Sequence, residues 1–164
     1  MRSKKILLYC SGIDDVLRGS SKVAGIQVQM IFWAKKFIGE GWNVYTFSTN
    51  KILLTINDIH FIPVRNHKLI GTIEEWIKAF YYVCKLSPKI VLVRGVRRDL
   101  YPLKLACKIK KAKLVFMGAS DVNFLPGKDW MGGVRLSTYL YRRGLKEIDY
   151  FITQNHMQKD SLKK

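Results

Sequence analysis

Lys5-Ile6-Leu7-Leu8-Tyr9-Cys10, followed by Ser11-Gly12, is the stretch on which the fold turns. Its short apolar run closes on a turn-forming pair and reads as a buried strand leading into a loop. Downstream, Ile26, Met30, Trp33, Ala34, Phe37 and Ile38 recur at helical spacing. Lys35, Lys36 and Glu40 take the other face, and Gly39 or Gly41 supplies the stop. Asn43–Ser48 then alternates β-branched and aromatic residues, as a second strand does. Strand, helix, strand is the unit from which parallel sheets are built.

The pattern runs on to the end of the chain. Ile59–Val64, ended by Pro63, reads as a third strand, and Ile90–Val93, Leu114–Met117 and Tyr150–Thr153 read as three more. Helices separate them. The first has Thr72 as cap, Glu74 and Glu75 in its first turn, and an apolar face of Ile73, Trp76, Ile77, Phe80, Tyr81 and Cys84. The next covers Leu100–Lys110, with Leu103, Ala106 and Cys107 inward and Lys104, Lys108 and Lys111 outward. The last runs from about Val134 to Leu145.

The expected fold is therefore an α/β, three-layer Rossmann-like domain with a mostly parallel sheet of six or seven strands and helices on both faces. One such domain spans 1–164. Ligands of these sheets bind beyond the carboxyl ends of the strands. Those ends are Ser11–Gly25, Ser48–Asn50, Arg94–Arg98, Gly118–Gly127 and Gln154–His156.

Composition bounds the function. Of 164 residues 48% are apolar, enough for a substantial core, while 29 Lys and Arg against 12 Asp and Glu leave a net +17. The surplus is uneven: Met1–Tyr82 holds 11 basic and 6 acidic residues, Val83–Lys164 holds 18 and 6. This excludes an acidic disordered tail, a collagen-like fibre and a disulfide scaffold. It favours anionic partners: nucleic acid, an acidic membrane surface or a phosphorylated ligand. The 3 cysteines, Cys10, Cys84 and Cys107, sit in apolar runs without C-x-x-C spacing and read as free thiols. His60, His67 and His156 lie in separate segments, so no metal site is expected. Neither a signal-peptide core nor a span-length apolar run is present, and the expected location is cytoplasmic, with any membrane met at its surface.

Between the first strand and the first helix, Gly12, Gly19, Ser20, Ser21 and Gly25 form a long Gly/Ser segment. Glycine at a helix N-terminus lets backbone N–H groups approach a phosphate. There is no G-x-G-x-x-G after the strand and no Lys-Ser/Thr of a P-loop. A loop without a ligand remains the competing reading.

Four blocks carry a resemblance to family 4 glycosyltransferases. Lys5-Ile6-Leu7-Leu8, a Gly-containing loop, Ala24-Gly25-Ile26-Gln27-Val28-Gln29 and Phe37-Ile38-Gly39-Glu40-Gly41-Trp42-Asn43-Val44-Tyr45 resemble that family's opening. Lys89-Ile90-Val91-Leu92-Val93-Arg94-Gly95 resembles its strand ending Asp-hydrophobic-x-His. Phe116-Met117-Gly118-Ala119-Ser120-Asp121 resembles the strand and loop before its acceptor pocket. Arg142–Asn155, continued by Gln158 and Leu162, resembles the Gly-Leu-x-x-Ala-Asp-x-Val-x-Gln-Ser/Thr segment that closes its N-terminal domain.

The resemblance implies the N-terminal half of a GT-B enzyme, two Rossmann-like domains facing across a cleft. The C-terminal domain, which binds the nucleotide-sugar donor and bears Glu-x7-Glu, is absent from these 164 residues, so the chain alone is expected to be inactive. By the same resemblance, Gly12 and Gly25 lie in the loop that approaches the donor diphosphate, with Ala24 replacing the first of the family's paired glycines. Gln29 and Ser120 fall on the acceptor side, and so do Arg94 and Arg97, which follow the strand Ile90–Val93 on the cleft side and are expected to meet a phosphate or a charged acceptor. Asp121 stands where members place a His or Asp that orients the transferred sugar.

Each residue has a plainer reading: an exposed helical Gln29, solvated arginines, a turn-forming Asp121. The implied reaction retains anomeric configuration without a protein nucleophile, a metal or another cofactor, and the implied acceptor is a glycan or lipid-linked molecule. Ten basic residues against Asp99 between Lys85 and Lys113 suit an anionic membrane surface, at ~1 kcal/mol per basic residue. The alternative is a basic nucleic-acid-binding or stand-alone nucleotide-binding α/β domain, although no helix-turn-helix, RRM or zinc signature is present.

Overall fold

The computed structural model describes residues 4–10, 12–19, 24–48, 53–63, 71–95, 97, 99–119, 123 and 135–162. The strands are β1 (Lys5–Tyr9), β2 (Asn43–Ser48), β3 (Leu54–Ile56), β4 (Ile59–Pro63), β5 (Ile90–Arg94), β6 (Lys113–Met117) and β7 (Tyr150–Ile152). The helices are α1 (Ile13–Leu17), α2 (Gly25–Gly39), α3 (Gly71–Leu86), α4 (Leu100–Lys110), α5 (Arg135–Lys146) and α6 (His156–Ser161). The seven strands form one sheet in the order β3-β4-β2-β1-β5-β6-β7, parallel throughout except for the β3–β4 pair. Leaving β3 aside, the order is that of the doubly wound Rossmann sheet.

Strand alternation divides the core in two. Leu7, Tyr9, Val91, Val93, Leu114 and Phe116 point to the layer built by α3, α4 and α5. Ile6, Leu8, Val44, Phe61 and Leu92 point to α1 and α2, where Ile13, Met30 and Ala34 are fully buried. Helix α2 ends as its sequence requires. Gly41, at φ 75°, sends its N–H to Ile38 O, Trp42 sends its N–H to Phe37 O, and the Phe37 and Trp42 rings meet at 5.6 Å. This is a Schellman closure, and it makes Gly41 the stop.

Four details depart from the sequence reading. Residues 13–17 form α1 instead of loop, with Ile13 and Asp14 fully buried. A further strand, β3, pairs with β4 across a two-residue turn in which Asn57 and Asp58 both take positive φ (50° and 62°). Helix α3 buries its slimmer stripe: Ala79 and Val83 enter the core while Ile73, Ile77, Phe80 and Tyr81 stay exposed. Small Ala79 and stiff Val83 permit the close packing of α3 on the sheet and α4. Lys104 is not an outward lysine, because its Nζ donates to Asp149 Oδ2 at 2.8 Å with only 13% of the side chain exposed.

Candidate functional site

The order of the sheet reverses direction between β1 and β5, since the chain leaves β1 toward β2 on one side and returns from β4 to β5 on the other. Doubly wound sheets hold ligands at this point. A cavity of about 350 Å³ lies there, walled by Tyr9 and Cys10 after β1, Arg94, Gly95 and Arg97 after β5, and Ala24, Ile26 and Gln27 at the start of α2. Ala119, after β6, and Asn123 complete the wall.

The start of α2 faces this cavity. Ala24 is extended at φ −102°, ψ 149°, and its N–H donates to Gln27 Oε1 at 3.2 Å, a capping contact made from within the helix. The first N–H groups of any helix lack intrahelical acceptors, and the helix dipole places partial positive charge there. A Cβ on Gly25 would meet nothing within 4 Å. Gly12 sits alongside in the left-handed region (φ 79°), where a Cβ would lie 3.4 Å from Gln27 Nε2. Gly95, at φ 75° with Ala119 3.5 Å from its virtual Cβ, lets the chain turn off β5 beside the cavity.

The two arginines are held differently. Arg97 donates from Nε and Nη2 to Asp99 at 3.1 Å each, and its guanidinium carbon lies 4.5 Å from the centre of the Tyr9 ring. The Tyr9 hydroxyl donates to the same Asp99, which is fully buried. Tyr9, Arg97 and Asp99 thus form one cluster that fixes a cation over the end of β1. Arg94 is 8% exposed and donates from Nη1 to Gln29 Oε1. Gln29 also accepts from Gln154 Nε2 at 3.4 Å, which links α2 to the segment after β7. Burial pulls the Arg94 guanidinium below the usual arginine value. Burial likewise pushes the Cys10 thiol up to about 11, against the pull of Arg97 and Arg94, so Cys10 is a neutral thiol at pH 7.

Gly12, Gly25, Gln29, Arg94 and Arg97, the site residues expected from the sequence, therefore gather at one end of the sheet. Ser120 and Asp121 lie outside the described residues, as does Arg98. Tyr9, Cys10, Asp99 and Asn123 were not singled out as site residues. Tyr9 and Cys10 read as strand interior, although their place at the carboxyl end of β1 was signal enough. Asn123 accepts the Ala119 N–H at 2.7 Å and takes the Tyr141 hydroxyl on its backbone carbonyl at 3.2 Å, so it braces the loop after β6. Among the described residues no group of three His, Cys, Asp or Glu is placed to hold a metal ion, and no helix is long and apolar enough to cross a membrane.

No protein-family profile matches the sequence, and no curated protein sequence matches it. Solved structures do share the fold. A candidate UDP-N-acetylglucosamine 2-epimerase from Listeria monocytogenes superposes with a TM-score of 0.61 at 13% identity, over 99% of this chain and 42% of that one. A second UDP-N-acetylglucosamine 2-epimerase gives 0.62 at 12% identity, over 98% of this chain and 44% of that one. The UDP-GlcNAc 2-epimerase of Methanocaldococcus jannaschii gives 0.54 at 12% identity, over 96% and 41%. The chain spans less than half the length of each. At these identities the likeness is one of fold, and the chain shares the Rossmann-like α/β architecture of these structures over less than half of their length.

Proposed function

We propose that the chain is the N-terminal, acceptor-side half of a GT-B glycosyltransferase that moves a sugar from a nucleotide-sugar to a glycan or lipid-linked acceptor with retention. One observation carries this reading. The cavity at the β1/β5 switch point is walled by the same segments, Ala24–Gln27, Arg94–Gly95 and Ala119, that lie within the glycosyltransferase-like blocks. Gly25 and the α2 N-terminus approach the donor diphosphate, Gln29 and Arg97 line the acceptor side, and Asp121, with Ser120 beside it in the sequence, is the candidate that orients the transferred sugar. Such a half needs a second Rossmann-like domain to hold the nucleotide, so the chain alone turns over no nucleotide-sugar. A second reading, half of a sugar-nucleotide epimerase, is favoured by the names of the three fold relatives.

Calorimetric titration of the chain with UDP-N-acetylglucosamine and with an alkyl glycoside checks both. The transferase reading predicts weak saturable binding of each, reduced by Gly25→Val. Binding of the nucleotide-sugar without the glycoside favours the epimerase. Binding of neither ligand removes both readings.

The exposed stripe of α3, with Ile73 at 57%, Ile77 at 64% and Tyr81 at 52%, supports docking of the acceptor side on an anionic membrane, at its cytoplasmic face. Lys85 lies over the Tyr81 ring at 5.5 Å, an apolar and basic pairing suited to a headgroup boundary. Cosedimentation with phosphatidylglycerol vesicles, but not phosphatidylcholine vesicles, is expected to fall with added salt and with Ile77→Ser. Tight binding to duplex DNA with no vesicle binding would favour the nucleic-acid alternative.

A further inference from the structure

We propose that Arg94 is a bidentate subsite for a phosphate group, so that the molecule occupying the cleft between β1 and β5 carries a phosphate at that point. This rests on the cleft being the ligand site, and it deepens that reading by naming a charged group on the ligand.

Among the described residues, Arg94 and Arg97 in the cleft have one carboxylate between them. Asp99 is fully buried and bound to Arg97 by two hydrogen bonds. Arg94 is more deeply buried than Arg97, yet among the described residues no carboxylate lies within ion-pair distance of it. Its Nε is buried without a hydrogen-bond partner. A guanidinium in this state is costly unless an anion completes it. Cys10 does not serve, because its thiol stays protonated at neutral pH.

The geometry selects the kind of anion. Arg94 spends Nη1, the nitrogen on the Cδ side, on Gln29. What remains is the edge formed by Nε and Nη2, the fork that matches two oxygens of a phosphate. Gln29 therefore orients Arg94 and, among the described residues, leaves its Nε–Nη2 edge unpaired at the cavity wall. The α2 N-terminus shares this cavity wall and presents N–H groups and partial positive charge. The open space over Gly25 gives a phosphate room to approach both. A neutral hydroxyl would satisfy one donor and leave the charge uncompensated.

The phosphate comes from either of two sources, the diphosphate of a nucleotide-sugar or a phosphate on the acceptor. Melting of the chain is followed in chloride, inorganic phosphate, pyrophosphate, UDP and a sugar monophosphate, all at one ionic strength, for wild type, Arg94→Met, Arg94→Lys and the double surface variant Lys108→Gln/Lys111→Gln. Wild type and the surface variant are expected to melt higher in at least one phosphate-bearing ligand than in chloride. Arg94→Met is expected to lose that shift while melting no lower than wild type in chloride, since it removes an uncompensated buried charge. Arg94→Lys keeps the charge without the fork and should bind on the order of tenfold to hundredfold more weakly.

A response to UDP or pyrophosphate that depends on Arg94 assigns the donor; a response to the sugar monophosphate assigns the acceptor. A wild-type response equal to that in chloride, or one that Arg94→Lys retains in full and the surface variant loses, overturns the proposal even if Arg94→Met fails to fold. Nucleotide-sugar binding unaffected at Arg94, together with no Arg94-dependent response to any phosphate-bearing ligand, would remove the subsite and leave the cleft reading standing. Arg94-dependent phosphate binding without binding of any nucleotide-sugar would keep the subsite and remove the nucleotide-sugar as its source, leaving the acceptor.

Discussion

Gly144→Ala tests the packing that holds the cleft in place. Gly144 lies in α5, where an exposed Gly-to-Ala change stabilises a helix by ~1 kcal/mol through backbone entropy alone. Here the added Cβ would fall 3.0 Å from the Tyr101 backbone N, 3.0 Å from Leu100 Cγ and 3.2 Å from Leu100 C. Two of those three atoms are backbone at the start of α4, so α4 and α5 must separate. Overpacking of this kind costs roughly 1–3 kcal/mol. The net is a loss of about 1 kcal/mol, or ~3 °C in Tm for a chain of this size.

Gly39, in the last turn of α2, is the control: its Cβ would meet nothing within 4 Å, and Gly39→Ala should gain up to ~1 kcal/mol. Thermal melts of the two variants side by side are expected to move in opposite directions. A Gly144→Ala protein that melts at or above wild type would refute the close approach of α4 and α5. Because Asp99 directly precedes α4 and anchors Arg97 and Tyr9, Gly144→Ala should also weaken ligand binding in the cleft, where Gly39→Ala should not.

Two further outcomes follow from titrating groups. Burial alone would raise the Asp149 carboxyl, but the Lys104 hydrogen bond, the Leu114 N–H and the Lys104 and Lys113 charges outweigh it and hold it below the usual carboxylate value. Its contribution is present above the unfolded value of ~3.9 and is lost as pH falls through the lower folded value. Asp149→Asn should therefore cost ~1–2 kcal/mol at pH 7, with the gap from wild type closing in denaturant melts below pH ~3; a gap unchanged at that pH would contradict the pairing. Burial also pushes the Cys107 thiol up to about 12 and Cys10 to about 11. An aromatic disulfide reagent at pH 8 should modify half-buried Cys84 first and reach Cys10 and Cys107 only in denaturant, which peptide mapping of the labelled chain would show.

The parallel sheet was legible because its strands are short continuous apolar runs: β2 and α4 fall at the boundaries their sequence predicts, and the other predicted strands differ by a residue or two at an end. Helix α3 was misread for a physical reason. It carries two apolar stripes at helical spacing, one through Ile73, Ile77, Phe80 and Tyr81, the other through Ala79 and Val83, with Trp76 of the expected face half-buried at their boundary. Periodicity cannot choose between them, and bulk favoured the stripe that stays outside. The β3–β4 hairpin carried its own signal in Asn57-Asp58, a pair suited to positive φ, but three-residue β3 is too short to show alternation.

At the site, Gly25, Gln29, Arg94 and Arg97 could be placed from strand ends and block order. That Asp99 neutralises Arg97 and leaves Arg94 unmatched could not, because Arg94-Gly95-Val96-Arg97-Arg98-Asp99 offers three arginines to one carboxylate. Tertiary packing makes the choice.

The central claim is that the switch point between β1 and β5 is where this chain meets its ligand. Backbone amide shifts of the isotopically labelled chain, followed while a nucleotide-sugar is added, test it most directly. The account predicts that the first amides to move are those of Cys10, Gly25, Ile26, Gln27 and Gly95, in a saturable way. Movement confined to the lysine-lined groove at Lys108, Lys111 and Lys113, or uniform movement reproduced by chloride, would contradict it.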